Sequence, residues 1–163
     1  MFLARRISQA KWRPNPWLRE GEISADAITA DLRTYRNSLS FWQCGSATMT
    51  ELERAVLAIV AAGQHINTID LVWIEDKGLE ADGLNWEATP GDTPVTALRS
   101  SHVDVIELNY TRLGKVASRV VDAIGLGNVK RFRRGVAKEL LVSAVERGQV
   151  LRSDLHKGIQ KEL

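Results

Sequence analysis

The chain has 163 residues, 44% of them apolar and 26% charged, a balance that suits one globular domain with a real core and excludes wholesale disorder. Its single cysteine, Cys44, excludes an internal disulfide and a thiolate metal cluster and points to a reducing compartment, so a cytosolic location is expected. The formal charge of +2 conceals three blocks: residues 1–19 carry +5 with no acid, residues 20–111 carry −10, and residues 112–163 carry +7.

The first block reads as a basic N-terminal arm, residues 1–19. MFLARRISQAKW holds no apolar stretch of the kind a secretory signal needs. Further on, Lys11, Trp12, Arg13, Trp17 and Arg19 interleave indoles with cations. Such rings beside guanidiniums can stack on unpaired bases; they can equally pin an extended arm to a core.

Residues 20–124 read as a mixed α/β core. Ile28, Ala30 and Leu32 alternate with Thr29, Asp31 and Arg33, which predicts a half-buried strand. Tyr35-Arg36-Asn37-Ser38 supplies turn chemistry, and the alternating run 39–44 completes a predicted hairpin. TELE at 50–53 has the form of a capping box, with Thr50 as the cap and Glu53 reaching back to it. Leu52, Val56, Ile59 and Val60 then follow helical spacing up to Gly63. The run 69–74 is apolar on both faces and predicts a central strand. Strand 38–44, helix 50–62 and strand 67–75 therefore make a βαβ unit with a right-handed crossover. Residues 76–96, rich in Gly, Pro and acids, predict a long loop or irregular hairpin. A strand at 103–108 and a helix through Leu113, Val116, Val120 and Ile124 follow. AVLAIVAA at 55–62 is the longest apolar run, far below the roughly 20 residues of a membrane span.

Residues 125–163 predict a basic helical segment packed on the core. Val129, Phe132, Val136, Leu140 and Ala144 fall on one helical face, Asn128 is a candidate cap, and Ser153 or Asp154 can open a short last helix. The fold class expected is α+β (mixed α/β): a small mixed sheet with a βαβ unit and a helical C-terminal third.

VKRFRRGVAK places Lys130, Arg131, Arg133 and Arg134 within five positions, with Lys138 in line with Lys130 and Arg134. If a helix began at Asn128, these cations would crowd the turn where the helix dipole disfavours them. A phosphate or carboxylate would relieve that crowding. The other chemistries are weaker. Glu75 and Lys77 end a strand as in some metal-dependent nucleases, with Asp31 as the required second acid. His102 and Asp104 share a strand face, but two ligands do not make a metal site. Nothing local activates Cys44 for a nucleophile–base pair with His65. Gly125-Leu-Gly-Asn128 follows a helix rather than a strand and lacks the remaining phosphate-loop residues.

The sequence assigns no catalytic residue, no metal site and no cofactor. It leads to a non-enzymatic adaptor that binds a larger protein partner. The binding residues expected are Lys130, Arg131, Arg133, Arg134 and Lys138, together with Trp12, Arg13 and Trp17. The alternative is direct nucleic-acid binding by the same surface, the second alternative a metal-dependent nuclease; a membrane partner is not expected.

Overall fold

The computed structural model describes residues 1–13 and 16–163. Among these residues six strands, β1 (Phe2–Ile7), β2 (Leu39–Cys44), β3 (Ile69–Glu75), β4 (Asn85–Ala88), β5 (His102–Ile106) and β6 (Val129–Phe132), make one sheet. Their spatial order is β4-β5-β2-β1-β3-β6, and every neighbouring pair is antiparallel. Among the described residues six α-helices accompany them: α1 (Ala25–Asp31), α2 (Met49–Ala61), α3 (Asp76–Ala81), α4 (Tyr110–Gly125), α5 (Arg134–Glu146) and α6 (Lys157–Glu162). The class is α+β, as the sequence implied, but the sheet is antiparallel throughout and not mixed. The two strands expected side by side in parallel, β2 and β3, are separated by β1. No helix among the described residues is long and apolar enough to cross a membrane.

Strand alternation divides the core between the two faces of the sheet. On one face Ala4, Trp42, Leu71 and Phe132 pack with α2 and α5. On the other, Leu3, Phe41, Val72 and Val103 pack with Val116 and Val120 of α4. Helices on both sides explain why β3 is apolar throughout.

The βαβ unit is present with an insertion. β2 and β3 run in the same direction, joined by α2, but β1 lies between them and is antiparallel to both. Residues 2–7, expected as part of a basic arm, thus occupy an interior position of the sheet. Leu3 and Ile7 serve one core and Ala4 the other.

Three further expectations are corrected. The predicted strand at 28–33 lies largely within α1. Its alternating apolar positions include only one β-branched residue, and the Ser24 side chain accepts the Asp26 N–H at 3.2 Å, capping a helix instead. The turn at 35–38 does form, with Arg36 and Asn37 both at positive φ (52° and 61°), the signature of a type I′ turn. α2 begins at Met49, and the carboxylate serving its start is Glu51, which accepts from Gly45 N–H at 3.0 Å and from Arg54 at 2.7 Å. Those two bonds hold the Glu51 carboxyl below its usual range, the Gly45 contact being the larger cause. The loop predicted at 76–96 contains α3 and β4.

The largest correction concerns the basic cluster. Gly127, at φ 79°, ends α4 by placing its own N–H and that of Asn128 on the carbonyls of Ile124 and Ala123. The chain then runs extended, so Val129–Phe132 is an edge strand, and helix resumes only at Arg134 with Arg133 as its cap. Val129, Phe132, Val136 and Leu140 therefore share no helical face. Phe132, 2% exposed, joins the α2–α5 core, Val129 joins the α4 core, and Val136 is 39% exposed. The last helix is α6, capped by His156, whose ring nitrogen accepts from Gly158 N–H.

Candidate binding surface at the lower end of the sheet

The end of the sheet at which β1 finishes is called its lower end. There the two basic blocks of the sequence meet. β1 and β6 flank β3, so Arg6 and Lys130 both stand opposite Leu71, one on each side of it, and Ile7 and Arg131 both stand opposite Asp70. One strand of the acidic block separates them.

Each cation of the cluster has a distinct environment. The Arg131 guanidinium donates twice to the Asp70 carboxylate, at 2.7 and 2.9 Å, and Asp70 also accepts from Gln9 N–H at 3.2 Å. The Arg131 fork, followed by the Gln9 contact, holds the Asp70 carboxyl below its usual range. Arg134 donates to the Ile66 carbonyl at 3.0 Å and to Glu162 at 2.9 Å, and Lys138 donates to the Glu162 carbonyl. Glu162 also meets His65 at 3.1 Å, and its carboxyl is lowered by Arg134 first and His65 after it. Lys130 lies 5.8 Å over the Phe132 ring. Among the described residues, Lys130 and Arg133 form no ion pair. The helix-start electrostatics expected for the whole cluster apply only to Arg133 and Arg134, because Lys130 and Arg131 are in a strand.

The indoles of the first block part company. Trp12 is buried and donates through Nε1 to Asp31 at 2.7 Å. Asp31 also accepts from the Ser8 N–H at 2.7 Å and the Ser8 hydroxyl at 3.1 Å. This carboxylate ties the short turn after β1 (Gln9–Trp12) to α1. Trp17 is 68% exposed, and Arg13 is exposed beside a cleft that Lys11, Trp12 and Arg19 also line.

The lower end also carries residues that the sequence did not single out. β1 and β2 pair only as far as Ala4 and Trp42, although both strands extend further. A cleft of about 420 Å³ opens where they part, lined by Arg5, Arg6, Ser8, Asp31, Ser40 and Trp42 among others. Arg5 donates to the carbonyls of Asp31, at 2.7 Å, and Ser40. Its side chain thus replaces the strand partner that the Ser40 carbonyl lacks. Arg6 is exposed and lines both this cleft and a neighbouring one shared with Asp70 and Arg131. Two adjacent arginines at the end of an apolar stretch were the available signal; the cleft itself depends on where a ladder stops.

The nuclease geometry is overturned by position. Glu75 stands opposite Phe2, at the upper end, whereas Asp31 is bonded to Ser8 beyond the lower end of β1. The full length of β1 separates them. Asp76, next to Glu75, takes the Met1 amino group at 3.3 Å. No group of three or more His, Cys, Asp or Glu suited to a metal ion occurs among the described residues. His102 and Asp104 share a face as expected, and the Thr89 hydroxyl joins them, 2.8 Å from His102 Nδ1 and donating at 2.9 Å to Asp104. Cys44 is buried, and burial pushes its thiol up to about 11, the reverse of an activated nucleophile. His65 is bonded to Glu162 instead. No protein-family profile matches the chain, and no curated protein or solved structure matches it either.

Proposed function

We propose that the chain is a non-enzymatic adaptor that docks an acidic surface of a larger protein through the basic lower end of its sheet. The observation that carries this reading is the state of the cluster. Arg131 and Arg134 are 52% and 63% exposed while Asp70, Ile66 and Glu162 fix their geometry. Lys130 and Arg133 stand beside them with no internal ion pair among the described residues. Cations already held in place lose little side-chain freedom on meeting a carboxylate surface. Two of its cations, Lys130 and Arg131, lie on β6, an outermost strand of the sheet.

A second reading, direct binding of nucleic acid, draws on exposed aromatics. Tyr35 is 73% exposed with Arg36 stacked 5.3 Å from its ring, Tyr110 is 95% exposed, and Trp17 follows Arg13 in the chain. Exposed rings beside arginines are what an unpaired strand stacks upon.

The two readings separate experimentally. A photo-crosslinker at position 130 should capture one protein in stoichiometric amount, and the purified complex should be lost with Lys130→Glu combined with Arg133→Glu. Duplex and single-stranded DNA, titrated at about 50 and 200 mM salt, should bind weakly. Micromolar DNA binding at the lower salt, weakened by the same pair of changes and falling steeply at the higher, would replace the adaptor reading by the nucleic-acid one.

A further inference from the structure

The two outermost strands of the sheet complement each other. All neighbouring pairs in the order β4-β5-β2-β1-β3-β6 are antiparallel, so β4 and β6 run in opposite directions. A second sheet set beside the first by a near-translation, β6 against β4, therefore continues the antiparallel order and keeps each helical layer on its own side. Among the described residues, no backbone hydrogen bond joins β4 to anything but β5, or β6 to anything but β3. Each strand has four residues, and full antiparallel overlap sets Lys130 opposite Glu87, Arg131 opposite Trp86 and Val129 opposite Ala88. The members of each pair share a face of the sheet. Lys130 stands beside Leu71, on the α2–α5 side. Glu87 stands beside Asp104, which alternates with Val103 and Val105 of the α4 core and so also lies on the α2–α5 side. By the same alternation Arg131 and Trp86 fall on the α4 side.

We infer that the chain associates with further copies of itself head to tail, β6 of one copy adding to β4 of the next. Charge selects this pairing. β6 against β6 would set Lys130 and Arg131 against like cations, and β4 against β4 would bring a second Glu87 to a place where one already faces Asp104. Like charges across strands oppose pairing and opposite charges favour it. Charge on an edge turns most sheets away, but these two edges carry opposite signs, so each rejects itself and accepts the other. Lys130 and Glu87 are exposed and form no ion pair among the described residues. A lysine beside Glu87 also relieves its repulsion with Asp104. On the other face Arg131, held by Asp70, meets an indole, on which a guanidinium stacks favourably. The two patches differ, so the contact does not close on itself but continues copy by copy, along a path curved by the sheet twist. Strands of four residues bury little surface, which places the contact among weak interfaces, below about 1,200 Å². Lys130 serves both this contact and the acidic partner proposed above, so a bound partner caps the growing end.

The test is sedimentation velocity of the full chain at about 50 mM salt, where exposed charges are little screened, from about 10 μM to about 1 mM, the range of a weak interface. The average sedimentation coefficient should climb with concentration past the dimer value without a plateau, and should fall when salt is raised to about 500 mM. Glu87→Lys and Lys130→Glu should each remain monomeric over that range. An equimolar mixture of the two variants should associate again, because each supplies the edge that the other has lost. A second measurement does not depend on reversed charge. Lys130→Cys combined with Glu87→Cys should give a ladder of disulfide-linked multimers on oxidation, and neither change alone should; Cys44 is buried and takes no part. Should a charge variant not fold, the ladder decides alone. A chain that stays monomeric throughout, a plateau at the dimer, or variants that associate as the parent does would overturn the inference, as would folded variants whose mixture stays monomeric. Glu87→Lys leaves the basic cluster intact, so partner docking survives it, and failure of self-association is told apart from failure of the docking reading.

Discussion

The sheet ends in two strands of equal length and opposite character. β6 reads Val129-Lys-Arg-Phe132 and β4 reads Asn85-Trp-Glu-Ala88. Each has one ionised cross-strand pair. On β6, Arg131 faces Asp70 and bonds it through both nitrogens of its fork. On β4, Glu87 faces Asp104, a carboxylate opposite a carboxylate. Opposite charges in that position favour the ladder and like charges oppose it. β4 is held by other means: Asp104 is occupied by the hydroxyls of Ser40 and Thr89, and Trp86 packs against the α4-side core. Beyond β4, Gly91 lies so close to Trp42 and His102 that a Cβ there would stand 2.7 Å from the indole and 2.8 Å from the histidine Cβ. One edge is fastened by charge and a buried ring, the other by hydroxyls and close backbone approach. Both edges are short and carry charge, which discourages pairing with another sheet.

The largest expected effect lies at the buried ring of β6. Phe132→Ala should cost about 3–5 kcal/mol, the range for removing a fully buried aromatic, measured by urea unfolding. Trp86→Ala on β4 should cost less, since that side chain is only partly buried. Equal losses would mean that the two edges are fastened alike.

Asp70→Asn comes next. It removes the bidentate partner of Arg131 and weakens the acceptor of Gln9 N–H, at an expected cost of about 1–2 kcal/mol, kept modest by the exposure of Arg131. The pH dependence follows from the lowered pKa of Asp70. The folded state holds its proton less tightly than the unfolded chain, so the stabilisation is complete above the unfolded value near 3.9. It fades as pH falls through that value and on through the folded one. In Asp70→Asn, unfolding midpoints should lose that part of their fall between about pH 5 and 2. An unchanged acid profile would show that the Arg131 fork contributes nothing to the edge.

Which elements were legible follows from how local their causes are. The helix at 50–62, the strand at 69–74 and the helix ending at Gly125-Leu-Gly127 are fixed by periodicity and by stop residues within the segment, and the structure has them. β1 was hidden because Arg5 and Arg6 put a cation on each face of the strand and so break the apolar alternation, and its partners lie about 40 and 70 residues away. α1 was hidden because seven residues satisfy a period of two and a period of 3.6 almost equally well, leaving the Ser24 cap to decide. β6 was hidden for the same reason: Val129 and Phe132 are three apart, a helical spacing, yet they point to opposite faces of a sheet. The cations were visible as residues; their roles were not. Whether Arg131 is free depends on Asp70, brought to it by a strand pairing across 61 positions.

The smallest expected effect tests the acidic edge. Glu87→Lys would place a cation opposite Asp104 in the register that now sets two carboxylates against each other. Exchanging a like-charge cross-strand pair for an opposite-charge one should stabilise the fold by about 0.2–1 kcal/mol, the low end applying because Glu87 is exposed. The gain should shrink with added salt, as an exposed pair is screened within about 10 Å at 0.1 M ionic strength. Urea midpoints for Glu87→Lys and Glu87→Gln at low and high salt separate the contributions. Glu87→Gln removes only the repulsion, so Glu87→Lys should exceed it at low salt and match it at high salt. If Glu87→Lys is instead destabilising at every salt concentration, Glu87 has a favourable interaction that outweighs the repulsion, and β4, like β6, is fastened by charge.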